Sequence, residues 1–378
     1  MNATTAAKRP PIVTRPLVLM LVADLGALTS FYLLLSVVPI VVAGTARAGA
    51  ATAALMLATM AAELVTPRLI ARFGYRAVIA GSLLLLGLPA LALTVTTSMP
   101  VVLAVCVLRG AGFGVMMVAG GALAAELVPV ERRGEGLGLY GAAVGLPGVV
   151  GLPLGVWLAA HAGLPVVFAA ATATALAGLA VLPSLPARPA GSGLPAGVAA
   201  GLRHGAMVRP ALVFGATAMA AGIVVTFLPL AVPGSAAVTQ ALLAQSVTAT
   251  VARWLAGRHS DRHGPTALLV PGLLVATAGM LTLVITTDPA VVVAGMALFG
   301  IGFGIIQNAS LVTMLGQVSP AGYGMVNAIW SVAYDGGMGL GAAGFGALAT
   351  WTGLPLAFAI TTLIMLAALK PARRVTRR

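Results

Sequence analysis

Residues 78–96 read VIAGSLLLLGLPALALTVT, a run of about twenty residues without a charged side chain. A helix needs about twenty consecutive apolar residues to cross the hydrocarbon core of a bilayer. Residues 267–287 form a second such run. Both runs are unbroken, whereas the strands of a membrane β-barrel alternate apolar and polar residues. These stretches predict an all-α membrane protein that crosses the bilayer several times.

The composition excludes soluble and disordered classes. Of 378 residues, 60% are hydrophobic and 8% are charged, whereas soluble domains carry about 25% charged residues. The abundant apolar surface argues against disorder. The net charge of +13 does not indicate a nucleic-acid partner, because the arginines form short clusters between apolar runs. The single cysteine, Cys106, leaves no disulfide or cysteine-based metal site, and we expect no cofactor.

Breaks at glycines, prolines and charge clusters predict twelve transmembrane helices. We interpret the first apolar run as a retained helix, because it is longer than the apolar part of a signal peptide. We expect an N-terminal six-helix half (1–184), a cytoplasmic linker (185–210) and a C-terminal six-helix half (211–378). The predicted helices span residues 16–43, 48–66, 76–96, 100–125, 134–160, 163–184, 210–232, 236–256, 266–286, 289–314, 321–347 and 353–370.

The basic residues predict the orientation. With twelve spans, 19 of the 21 lysines and arginines fall on the side that carries both termini. This group includes Arg253, which we assign to the segment after the eighth helix. Arg47 falls on the far side, and Arg109 lies within a span. The positive-inside rule then predicts cytoplasmic termini in a multi-pass protein of the plasma membrane.

The sequence repeats itself at an offset of 190 residues. GAGFG at residues 110–114 matches GIGFG at residues 300–304, and Arg72-Phe73-Gly74 matches Arg262-His263-Gly264. Two parallel repeats with a central site between them are a known transporter architecture. The shared register therefore predicts two pseudo-symmetric halves.

Several motifs resemble those of the major facilitator superfamily, including its bacterial drug and sugar efflux members. Residues 257–264 read GRHSDRHG and fit the pattern GxxxDRxG of that family in full. Residues 67–74 read PRLIARFG and depart from it, because Pro67 and Ala71 replace the glycine and the aspartate. Arg109 with its following glycines resembles the helix-four motif, and residues 327–337 resemble helix eleven of efflux members.

The two loops that carry this pattern are predicted to gate the cytoplasmic side. The glycines permit a tight turn, and Asp261 can accept hydrogen bonds at a helix N-terminus. Contacts of this kind form only while the cytoplasmic side is closed. Ordinary topology plus a turn explains the residues equally well, and Ala71 removes the acid from the first loop. The gating candidates are Arg72, Gly74, Gly257, Asp261, Arg262 and Gly264.

Apart from Glu135 at the first turn of the predicted fifth helix, three acidic residues lie within predicted spans: Asp24, Glu63 and Asp335. A charge at a helix centre costs about 2.5–3.5 kcal/mol on insertion scales, so these carboxyl groups should face a cavity or a partner. All three are candidates for proton coupling. The alternatives are a helix-end role for Asp24, a structural partner in the loop arginines or helix eleven for Glu63, and a helix-packing role for Asp335.

The remaining polar residues within spans predict a substrate cavity. Family resemblance places helices one and four beside the central path, so Arg109 is expected to pair with Asp24 or with an anionic substrate. Asn327, Trp330 and Tyr334 share one helix face, which either lines a cavity or seams two helices. The cavity candidates are Arg109, Gln307, Asn308, Asn327, Trp330 and Tyr334.

Together these features predict a monomeric secondary transporter in the lipid bilayer, and not an enzyme. No ATP-binding motif is present, so we expect protons to drive the efflux of a small organic compound. The glycines and prolines of helix five resemble an antiporter motif and favour export. The alternatives are uptake of a sugar or similar solute and, in another class, a non-transporting membrane receptor or anchor.

Overall fold

The computed structural model describes residues 13–42, 44–128, 133–186, 205–232, 234–285, 287–318 and 323–376. These residues form twelve long helices, which we number α1 to α12 in chain order. The first half contains α1 (Arg15–Leu35), α2 and α3 (Thr45–Gly87, divided by a kink at Gly74), α4 (Met99–Leu127), α5 (Arg133–His161) and α6 (Leu164–Ala177). The short helix Val38–Val41 extends α1, and the 3-10 helices Leu88–Thr94 and Gly178–Ser184 extend α3 and α6.

The second half has the same order of helices. It contains α7 (Gly205–Ala231), α8 (Ser235–His263), α9 (Leu269–Thr282), α10 (Pro289–Leu315), α11 (Tyr323–Thr352) and α12 (Leu354–Ala367), followed by the short helix Leu369–Thr376. Eight helical stretches among the described residues are long and apolar enough to cross a membrane, and Thr45–Thr94 contains both α2 and α3. The shorter apolar stretch Thr266–Thr282 contains α9, and α8 and α11 complete the twelve spans.

The two halves repeat each other residue for residue. Helices α1, α2, α4, α5 and α6 begin at residues 15, 45, 99, 133 and 164, and α7, α8, α10, α11 and α12 begin 190 residues later in each case. The described glycines with positive φ form three pairs at the same offset: Gly44 and Gly234, Gly74 and Gly264, Gly163 and Gly353. The predicted pseudo-symmetric fold is confirmed.

The two glycine motifs that revealed the repeat have the same packing role in each half. A Cβ on Gly110 of α4 would collide with the carbonyl of Leu55 on α2. A Cβ on Gly300 of α10 would collide with the carbonyl of Gln245, the equivalent residue on α8. Backbones at this separation tolerate only glycine, so the motif sets how closely the paired helices pack.

The predicted ends of two helices and of the linker are wrong. Helices two and eight were predicted to end at residues 66 and 256, but α2 continues to the kink at Gly74 and α8 to His263. Charged residues do not stop a helix whose end reaches water; the breaks come at Gly74 (φ 77°) and Gly264 (φ 84°). Residues 187–204 of the predicted linker lie outside the described residues, and residues 205–210 are helical because α7 begins at Gly205.

Candidate functional site

A pair of carboxyl groups joins the two halves. Glu63 on α2 and Asp335 on α11 lie within hydrogen-bonding reach of each other. Asp335 is 3% exposed and Glu63 is half-buried. Two ionised carboxylates at this separation would repel each other, so a shared proton buries the least charge. Of the partners that the sequence allowed for Glu63, the structure therefore selects helix eleven.

Three further polar side chains surround this pair. Tyr32 on α1, Arg253 on α8 and Tyr334 on α11 interact electrostatically, and Asp335 acts on both tyrosines. Arg253 is an exposed residue that lies within α8, ten residues before the end of that helix. We refer to Tyr32, Glu63, Arg253, Tyr334 and Asp335 as the interhalf cluster.

The assignment of Arg253 to a segment after helix eight is wrong. The residue lies within α8, and it follows Glu63 of α2 by the repeat offset of 190 residues. The equivalent positions of the two halves thus carry opposite charges. The repeat register would have revealed this relation in the sequence, but the neighbouring Arg258 and Arg262 made the segment resemble a loop.

The halves meet tightly on one side of this cluster. We define the terminal side as the side where α1 begins and α12 ends. On the other side, Thr226 of α7 donates a hydrogen bond to Thr52 of α2 at 3.0 Å, and a Cβ on Gly49 would collide with the carbonyl of Ala342 on α11. Toward the terminal side Asn327 is exposed, as Arg253 is. The halves therefore contact each other closely on the far side, whereas polar residues of α8 and α11 are exposed nearer the terminal side.

Asp24 is enclosed within the first half. Its side chain is 0% exposed, and neither carboxyl oxygen makes a hydrogen bond with the described residues. It lies against Gly120 of α4 and faces the hydroxyl of Tyr140 on α5. The expectation that Asp24 lines the central path is therefore wrong for this conformation, because α4 and α5 cover its side chain.

Arg109 does not pair with Asp24. Its guanidinium donates to the backbone carbonyl of Leu86 on α3 and, at 2.7 Å, to the carbonyl of Ser30 on α1. The side chain is 2% exposed and forms no ion pair with any described carboxylate. Arg109 borders a narrow cavity whose lining includes Phe31, Thr52 and Cys106. Its guanidinium is nevertheless already hydrogen-bonded to backbone carbonyls, and these bonds connect α1, α3 and α4.

The other half carries aromatic rings at these positions. Phe214 is the counterpart of Asp24, and Phe299 is the counterpart of Arg109; both phenylalanines are fully buried. Trp330, the counterpart of Tyr140, stacks on Phe214 with ring centroids 4.4 Å apart. The fold therefore accepts apolar rings where the first half has charged groups.

The substrate-cavity candidates of the second half divide into three groups. Tyr334 belongs to the interhalf cluster. Trp330 stacks on Phe214 and donates a hydrogen bond to Ser310 at 3.1 Å, so it connects α11 to α7 and α10 of its own half. Asn308 also packs within this half, where Ser260 donates to it at 3.5 Å. Gln307 is half-buried and Asn327 is exposed.

Each of the two predicted gating loops contains a glycine with positive φ, Gly74 in the first and Gly264 in the second. Arg72 lies 5.1 Å from the ring centroid of Phe73, and the exposed Arg262 makes no ion pair with the described residues. Gly257 lies next to Asn308, and the side chain of Asp261 lies outside the described part of the structure. Within that part, no three His, Cys, Asp or Glu side chains are placed to hold a metal ion.

Comparison with known proteins identifies the family. Residues 20–323 match the model of the Major Facilitator Superfamily, and no curated protein matches the sequence. A bacterial homologue of the lysosomal transporter Spinster, inward-facing and unoccupied, has a TM-score of 0.77 with 14% identity, covering 96% of each chain. The nucleoside transporter NupG has a TM-score of 0.74 with 14% identity, covering 94% of this chain and 99% of NupG. The inward-open xylose transporter XylE from E. coli has a TM-score of 0.73 with 18% identity, covering 93% and 94%.

The family model covers most of the chain, so the protein belongs to the Major Facilitator Superfamily of membrane transporters. The fold and the family agree on a multi-pass protein of the lipid bilayer that moves a small molecule and is not an enzyme.

Proposed function

We propose that this protein exports a small organic compound in exchange for protons, as a monomer that alternates access between the two sides of the plasma membrane. The observation that carries the proposal is the Glu63–Asp335 pair, because its two carboxyl groups belong to different halves. The positive-inside rule supports placing the terminal side in the cytoplasm, since the loop arginines lie there.

The charge of this pair is suited to control the contact between the halves. With one shared proton, Glu63 and Asp335 hold α2 and α11 together by a hydrogen bond. When that proton leaves, two like charges oppose each other in a poorly solvated region, and the repulsion weakens the contact. Proton binding and the relative position of the halves are thereby coupled, as a secondary transporter requires.

Asp24 is a second candidate proton site, and α5 supplies a route by which it can respond to conformation. Gly148 of α5 lies against the ring of Tyr32 in α1, Gly151 lies against the Cβ of Tyr32, and Tyr140 of the same helix faces Asp24. A movement of α5 over these small residues would alter the surroundings of Asp24. The same glycines and prolines resemble the antiporter motif that favours export.

The test uses everted membrane vesicles in which respiration acidifies the lumen and a pH-sensitive dye reports the gradient. Addition of an exported compound, drawn from a panel of antibiotics, aromatic acids and sugars, should release protons from the lumen. Glu63→Gln and Asp335→Asn should each abolish the release, because neither amide can carry the proton. Asp288→Asn is the matched control, since Asp288 caps α10 through Ala290 N at 2.8 Å and asparagine caps a helix as well.

Unchanged proton release in both variants would remove the pair from the coupling mechanism. A response to sugars only, in right-side-out vesicles with solute and proton moving together, would establish the uptake alternative. Binding of a compound without any movement of solute would favour a receptor.

A further inference from the structure

We propose that the transported compound carries an anionic group, such as a carboxylate, which Arg253 binds between Tyr32 and Tyr334. The proposal rests on the proposed function, because it assigns a substrate class to the same interhalf cluster. It follows from the hydrogen-bonding capacity that the cluster leaves unused.

Three side chains of the cluster have hydrogen-bond donors without an acceptor among the described residues. Arg253 forms no hydrogen bond or ion pair with the described residues, and the hydroxyl groups of Tyr32 and Tyr334 form no hydrogen bond with them either. Arg253 is exposed, and Tyr32 and Tyr334 are half-buried. A guanidinium offers five N–H donors and accepts nothing, so its ligand must supply acceptors. The acidic groups of the cluster, Glu63 and Asp335, face each other.

Other arginines of the described structure are already engaged or lie at the edge of the bundle. Arg109 is held by the carbonyls of Ser30 and Leu86. Arg258, one turn beyond Arg253 on α8, lies 4.8 Å from the ring centroid of Trp254. Arg253 thus differs from both, since it lies beside Tyr32 and Tyr334 and its N–H donors have no acceptor among the described residues. An anion in the cavity would complete both its charge and its hydrogen bonds.

Both tyrosines are packed against neighbouring residues, and both interact electrostatically with the Arg253 guanidinium. A Cβ on Gly148 would lie 3.3 Å from the Tyr32 ring, and Phe31 meets that ring edge-on at 5.3 Å. Tyr334 stacks on Phe214 with ring centroids 5.7 Å apart. Tyr32 belongs to the first half, and Arg253 and Tyr334 belong to the second. A ligand bound by all three would therefore connect the halves, and the rings suit an apolar or planar body.

The experiment measures thermal unfolding of the purified full-length protein with matched pairs of probes at constant ionic strength. The pairs are benzoate and benzamide, phenylacetate and phenylacetamide, and phenyl phosphate and phenol. The acids should raise Tm in a saturable manner, with an apparent affinity at least tenfold higher than that of their neutral partners. Arg253→Gln should lower that affinity at least tenfold, and Arg253→Lys should restore part of it. Arg258→Gln is the matched control and should behave as the wild type.

Equal stabilisation by neutral and anionic probes, no stabilisation by any anion, or unchanged binding in Arg253→Gln would each overturn the proposal. If Arg253 served only as a gating partner of the carboxyl pair, Glu63→Gln would lose binding as Arg253→Gln does. We expect Glu63→Gln to keep it. Binding needs no proton gradient, so failure of the vesicle assay with intact anion binding would refute proton coupling alone.

Discussion

At the scale of single residues, comparing equivalent positions of the two halves shows which charged side chains the fold requires and which it only tolerates. Asp24 and Arg109 occupy positions at which the second half has buried phenylalanines, Phe214 and Phe299. Glu63 occupies the position of Arg253. Because the same backbone forms with a ring or an opposite charge at these positions, the fold does not require the charges of Asp24 and Glu63, whereas Arg109 connects three helices through backbone carbonyls.

Asp24 allows a direct test of whether a buried charge is needed for transport and not for stability. Replacing it by leucine removes a buried carboxyl group whose facing polar group is the Tyr140 hydroxyl and whose oxygens have no close hydrogen bond, so the variant should be more stable by up to roughly 3 kcal/mol. Transport should fall at the same time if the carboxyl group carries a proton. Thermal unfolding of Asp24→Leu and wild type measures the first effect, and the vesicle assay the second. A lower Tm in Asp24→Leu would show instead that the carboxyl group stabilises the fold.

Sequence reasoning named Glu63 and Asp335 as separate candidates, with helix eleven among the possible partners of Glu63, but it did not pair the two acids or predict their surroundings. An acidic residue in an apolar run is visible in the sequence, and this observation alone made Glu63 and Asp335 candidates for proton coupling. The depth of Arg253 was hidden, because α8 continues through the charge cluster that looked like its end. The pairing of Asp24 with Arg109 was wrong because backbone carbonyls, which a sequence does not reveal, satisfy the guanidinium.

At the scale of helices, the unbroken apolar runs predicted all twelve spans, and the structure moved mainly their ends. The ends depend on single glycines with positive φ, whereas the prediction relied on charge. The packing between helices was not visible in advance, although its glycines were. Thr59 of α2, for example, donates to the carbonyl of Gly110 at 3.1 Å, a contact that requires the close approach allowed by glycine.

Two glycines test this account of packing. A Cβ on Gly304 of α10 would collide with the backbone of Ala249, so Gly304→Ala should destabilise the protein by about 1–3 kcal/mol. Gly344 of α11 has open space around a Cβ, and Gly344→Ala should stabilise it by up to about 1 kcal/mol through helix propensity. Thermal unfolding of the two purified variants measures both effects. Equal shifts would contradict the assignment of Gly304 to a packing contact.

At the scale of the whole molecule, α2 packs on α11 and α5 packs on α8 between the two halves. On the side away from the termini, α2 also meets α7 and α11 through closely spaced residues. Alternating access requires these contacts to open. The seam there consists of small and hydroxylated side chains, such as Thr52 and Thr226, which can separate without exposing a large apolar surface.

A crosslink across that seam should stop transport. In a Cys106→Ser background, Thr52→Cys with Thr226→Cys places two thiols where the hydroxyl oxygens are 3.0 Å apart, a separation compatible with a disulfide. Oxidation should reduce substrate-driven proton release by more than about tenfold, and reduction should restore it, because the halves can then separate again. Each single cysteine variant is the control. Full transport by a completely crosslinked protein would refute opening at this seam.

The presence of Arg253 and the Glu63–Asp335 pair in one cluster also determines how much charge a transport cycle would move across the membrane. If an anion leaves the cell while one proton enters, each cycle moves two positive charges inward, and a membrane voltage of 100 mV adds about 4.6 kcal/mol to the driving force. If both enter together, no charge moves and the voltage has no effect. Exchange of an anion for a proton at this cluster would therefore be powered by voltage and proton gradient together, and the current carried by the protein would report the direction in which its cargo travels.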